Sequence, residues 1–146
     1  MKTLTDILTE GAWGYGSLDN DYVLDDRDEL MAKLHKNFMS KIKQNLQETQ
    51  NCWNNIGLID WYCESMIALK QDYWLYEDRY KVFEIYQKSI ETVCQDTDWI
   101  NDWSEPEKMQ DALAFAREKL IKHQEALEKS HKGKSRIKYK IATDNN

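Results

Sequence analysis

A single proline, Pro106, in 146 residues is the strongest constraint on how this chain folds. Proline is the residue that both lacks a backbone N–H and clashes with the preceding helical turn, so long helices are permitted almost throughout. The apolar residues are spaced to use that freedom. Met31, Leu34, Phe38, Ile42 and Leu46 recur at steps of three and four and predict a helix over about 22–49. Asn20 or Asp21 is placed to cap it, and Asp25, Asp26, Asp28 and Glu29 suit the positive end of its dipole. Cys52, Ile56, Ile59, Cys63 and Ile67 predict a second helix over about 52–70, with Gly57 read as allowing a close helix contact at a cost of about 1 kcal/mol against alanine. Tyr76, Tyr80, Phe83, Tyr86, Ile90 and Val93 predict a third over about 75–95. The segment QDTDWINDWS has the Asx and Ser content of a loop. Ser104 and Glu107 stand in capping-box spacing around Pro106. Met109, Leu113, Ala116, Leu120 and Leu127 then carry a fourth helix to about Ser130, with Gly133 as its stop. The end, SRIKYKIAT, alternates Ile137, Tyr139 and Ile141 with basic residues, the pattern of a short strand or a flexible arm. The expectation is an all-α, single-domain bundle of about four helices over residues 11–130, between an N-terminal extension (1–10) and a basic tail (131–146).

Charge divides this chain. The net charge is −6, yet Lys129, Lys132, Lys134, Arg136, Lys138 and Lys140 face only Asp144 in the last eighteen residues. The acidic remainder favours basic partners and repels nucleic acid, while the tail does the opposite. The apolar share of 41% and aromatic share of 12% are ample for a core. No apolar run approaches the roughly 20 residues that cross a bilayer. MKTLTDILTE, with Asp6 and Glu10 and no apolar block, makes a poor signal peptide. Cys52, Cys63 and Cys94 lack metal-type spacing and read as reduced thiols. Together these predict a cytoplasmic protein with no membrane contact.

No motif for chemistry emerges. The glycines of GAWGYG fit neither phosphate-loop pattern, follow no predicted strand and run into aspartates that repel phosphate. Asp19, Asp21 and Asp25 begin like a calcium loop, but Val23 and Leu24 stand where an oxygen ligand and a glycine are needed. His35, His123 and His131 have no histidine at i+4 and no Cys-x-x-Cys nearby. Neither a catalytic residue, a metal, a cofactor nor a small-molecule ligand is expected.

Gly11, Ala12, Trp13, Gly14, Leu18, Asn20, Asp21, Leu24 and Asp25 carry a resemblance. The stretch resembles the signature of a bacterial domain family of unknown function, in which a G-A-W-G turn precedes an acidic pair and a Leu-Asp helix opening. DWSEPEK before the last helix is a looser match, and the two anchors bracket residues 11 to about 128. The residues before Gly11 and the basic tail depart from that pattern. The resemblance implies a mostly helical fold and no site residues. The glycines are then read as a clasp that folds Trp13 back onto the bundle.

Small, acidic and rich in aromatics, the chain has the make-up of a non-enzymatic interaction protein. The expected partner is a basic, nucleic-acid-handling effector, such as a bacterial toxin nuclease countered by an immunity protein or a CRISPR-type defence nuclease countered by a phage inhibitor. The candidate contact residues are Asp25, Asp26, Asp28 and Glu29 on the first helix, and Asp98, Trp99, Asp102 and Trp103 in the late loop. Weak RNA or DNA contact is assigned to Lys132, Lys134, Arg136, Lys138 and Lys140. The alternatives are a nucleic-acid-binding accessory module acting through that tail, and an enzyme whose site is assembled from scattered residues.

Overall fold

A computed structural model describes residues 21–144, with side chains from Tyr22 to His131. Within it the chain is all-α, as the spacing predicts, but with six helices rather than four. They are α1 (Asp21–Gln44), α2 (Thr49–Ala68), α3 (Tyr73–Glu77), α4 (Arg79–Gln95), α5 (Thr97–Asn101) and α6 (Pro106–Asp144). The main packing is α2 against α4, with α6 lying across both. Their facing stripes meet in one core that includes Ile42, Ile59, Leu75, Val82, Tyr86, Ile90, Val93, Leu113 and Leu127. Pro106 opens the last helix, as expected.

The differences have local causes. The first helix stops at Gln44, short of the predicted 49, because a buried amide network intercepts it. Asn55 donates to the Ile42 carbonyl at 2.8 Å and accepts from Asn45 at 2.9 Å, so the freed end of α1 is satisfied from α2. A 3-10 turn (Asn45–Gln47) and an extended Glu48 follow. The predicted third helix divides at Asp78 into α3 and α4. The predicted late loop contains α5, capped where the Asp96 carboxylate accepts the Trp99 N–H at 3.1 Å. Gly133 does not stop α6, and the backbone over 135–143 is helical rather than strand-like. Gly57 marks no close contact, since a Cβ there would meet nothing within 4 Å. Leu34 and Tyr80, both assigned to apolar stripes, face solvent, and His35 takes the core position beside Leu34.

Lys70 ends α2 in the left-handed region at φ 56°. The Gln71 N–H reaches the Met66 carbonyl at 2.8 Å and the Lys70 N–H reaches Ile67 at 3.1 Å, the paired closure that glycine normally serves. Cys52 and Cys63 are buried and Cys94 is half-buried, all three as free thiols. Burial raises the Cys63 thiol to about 12, reinforced by the charges of Asp60 and Glu64. Trp13, the glycine clasp and the capping role of Asn20 lie outside the described residues.

Candidate docking surface

Trp53 stands on the outer side of α2, half-buried against the core. Its ring centroid lies 6.4 Å from that of Trp99, which in turn lies 5.5 Å from Trp103 in an edge-on contact. The Asp96 cap fixes this row. Asp96 accepts from the Thr49 hydroxyl at 2.6 Å as well as from the Trp99 N–H, and those two bonds hold its carboxyl below the usual range. The start of α2 and the whole of α5 are thereby tied together.

Two open cavities share Trp53 as a wall. One, of about 620 Å³, runs beside Gly57 to Trp61 and Lys119. The other, of about 360 Å³, runs to Trp103, Met109 and Ala112. Trp61 is 52% exposed, Trp103 43% and, farther along α6, Phe115 53%. Isolated exposed aromatics are ordinary, but rings gathered around adjoining concavities are the arrangement that protein partners anchor on. Asp98 and Asp102 are exposed beside this surface and make no ion pair among the described residues, whereas Glu105 pairs with Lys108 at 2.9 Å.

Of the residues singled out from sequence, the structure groups Asp98, Asp102 and Trp103 on this edge and places Trp99 half-buried beneath them. Asp25, Asp26, Asp28 and Glu29 are exposed on α1. Asp28 pairs with Arg27 at 3.0 Å and Glu29 with Lys33 at 3.2 Å. They do not join the late loop. Thr49 and Asp96 anchor that loop near the far end of α1, about 22 Å along the helix from Glu29 at 1.5 Å per residue. The side chains of Lys132, Lys134, Arg136, Lys138 and Lys140 lie outside the described ones.

Two polar networks were not legible in the sequence. Asp60 on α2 accepts from Tyr86 of α4 at 2.9 Å, lies 2.7 Å from the His123 Nε2 of α6, and pairs with Lys119 of α6. Burial pushes the Asp60 carboxyl up, but the hydrogen bonds from His123, Lys119 and Tyr86 and the charge of Lys119 outweigh it and hold it low. On the other side of the bundle, His35 Nε2 lies 2.7 Å from the Asp78 carboxylate and its Nδ1 lies 2.8 Å from the Tyr62 hydroxyl. With Nε2–H donating to Asp78, the neutral ring accepts from Tyr62. Both carboxylates join helices distant in sequence. Asp60, with both oxygens engaged, clamps α2 to α4 and α6. No group of three or more His, Cys, Asp or Glu among the described residues is placed to hold a metal ion. None of their helices is long and apolar enough to cross a membrane.

Comparisons with protein-family profiles, with curated proteins and with solved structures return no match.

Proposed function

We propose that the protein is a non-enzymatic interaction protein that docks on a basic partner through the aromatic edge formed by Trp53, Trp61 and Trp103. The observation that carries this reading is the shared wall. Trp53 joins two cavities that each also hold an exposed tryptophan, and Asp98 and Asp102, without an ion pair among the described residues, stand alongside. Aromatic anchors in water-excluding pockets set residence time, and acids around them steer a cationic surface during encounter. Proteins that handle nucleic acid carry such cationic surfaces for phosphate. An acidic protein seated on one blocks it without chemistry, as an immunity protein or a phage inhibitor of a defence nuclease does.

The test is a pull-down from the native cell with nuclease treatment, followed by binding kinetics of the captured partner across salt concentrations. Trp61→Ala and Trp103→Ala should mainly speed dissociation, each by tenfold or more. Asp98→Lys with Asp102→Lys should slow association and flatten its salt dependence. An affinity indifferent to salt and to all four substitutions would overturn the reading.

A further inference from the structure

A different groove, on the α1 face of the bundle, gathers three lysines around a single carboxylate, Asp78. Lys36, Ser40 and Lys43 recur along one side of α1 and, with Lys81 of α4, line a cavity of about 330 Å³ that also takes in Trp74 of α3. Elsewhere Lys33, Lys88, Lys108 and Lys119 each pair with a carboxylate, while Lys41, Lys70, Lys122 and Lys129 make no ion pair among the described residues and do not share one cavity. Lys36, Lys43 and Lys81 make no ion pair among the described residues, although acids outnumber bases in the chain. The carboxylate in the groove, Asp78, is engaged by His35. Three lysines against that one carboxylate leave the groove with an excess of positive charge, which favours an anion.

Trp74 gives the groove a second recognition element. Its ring stacks over His35 with centroids 6.3 Å apart, and the residue is 38% exposed. His35 is held at both nitrogens by Asp78 and Tyr62, so the indole rests on a fixed pedestal. We propose that this groove is a track for a single strand of nucleic acid, with a base stacked on Trp74 and successive phosphates on Lys36, Lys43 and Lys81.

Chemistry favours a strand over a free nucleotide. The lining residues of α1 lie within the helix, where backbone N–H groups are already bonded, so no main-chain cradle awaits one phosphate. Exposed lysines spread along a helix bind weakly one at a time and gain by counter-ion release when a polyanion spans them. A duplex keeps its bases stacked and withholds the face that Trp74 would receive. The nearby α6 passes α3 at His131, whose ring stacks on Tyr76 with centroids 3.5 Å apart. This proposal is independent of the aromatic edge.

The experiment is fluorescence anisotropy of a labelled twelve-nucleotide oligouridine against the full chain over a range of salt. Lys132, Lys134, Arg136, Lys138 and Lys140 are replaced by Gln throughout, so that the signal reports the groove. Adding Lys36→Gln, Lys43→Gln and Lys81→Gln should lower the log–log salt slope by about 2, at about 0.7 per phosphate contact on a single strand. Trp74→Leu, which keeps apolar packing on His35, should weaken binding about tenfold with unchanged circular dichroism. Lys33→Gln with Lys88→Gln serves as the control and should change little. Absence of binding by the reference chain at low salt would overturn the proposal. So would retention of full affinity by the triple variant, or equal binding of a duplex or of polyglutamate.

Discussion

Asp60 shows how much one side chain can hold. Its side chain is 13% exposed, and it joins α2, α4 and α6 through Tyr86, His123 and Lys119. Asp60→Ala leaves the fully buried Tyr86 hydroxyl and the His123 ring without their acceptor. It should destabilise the fold by about 3 kcal/mol in urea titrations at pH 7. The acid dependence has a definite sign. A carboxyl held below its ordinary 3.8 stabilises the fold above that value, and the contribution is lost as pH falls through the lower folded value. Asp60→Ala should therefore be less acid-sensitive than the parent below about pH 4. His131 acts in the same sense at higher pH. Burial lowers its imidazole from 6.5, so its contribution is present above 6.5 and is lost as pH falls toward its folded value. Neither clamp was readable from the sequence, because Asp60 and His123 are separated by 63 residues and His35 and Asp78 by 43.

At the level of the helices, periodicity read along the chain found much of the fold, and buried polar side chains set what it missed. The stripes of α2 and α6 carry core residues such as Cys52, Ile56, Ile59, Leu113 and Leu127. The end of α1 and the break at Asp78 depend on Asn45, Asn55 and His35, polar residues whose tertiary partners no local pattern reveals. The late-loop candidates stand out because acids and tryptophans alternate in one short segment, and the structure shows Asp98, Asp102 and Trp103 exposed there. Trp53 and Trp61 line the adjoining cavities from α2, a placement set by tertiary packing rather than by any local pattern. Two backbone positions invite a reciprocal test. Gly57 sits exposed within α2 with open space around its Cα, so Gly57→Ala should stabilise by about 1 kcal/mol. Lys70 holds a left-handed conformation, so Lys70→Gly should relieve strain there, offset in part by the freer unfolded chain. Calorimetry should show the first substitution raising Tm by a few degrees and the second lowering it little or not at all.

Over the whole molecule, the two proposed surfaces would call for opposite charges in their partners. The aromatic edge draws mainly on α2, α5 and α6, with Lys41 of α1 at the border of its larger cavity, and the lysine groove draws on α1, α3 and α4. Charge changes on one should leave the salt response of the other unaltered, measurable by repeating each binding series with the other surface's variants. The buried thiols of α2 give the molecule an internal clock. Cys63 at 1% exposure and Cys52 at 0% are closed to a thiol reagent, and burial keeps both protonated. Their alkylation must wait for an opening that separates α2 from α4 and α6, whereas half-buried Cys94 needs only local motion. Mass-resolved labelling over time should show one rapid addition followed by two slow, concerted ones. The slow rate then measures cooperative opening in native buffer, without denaturant, and any partner that clamps the bundle should lengthen it.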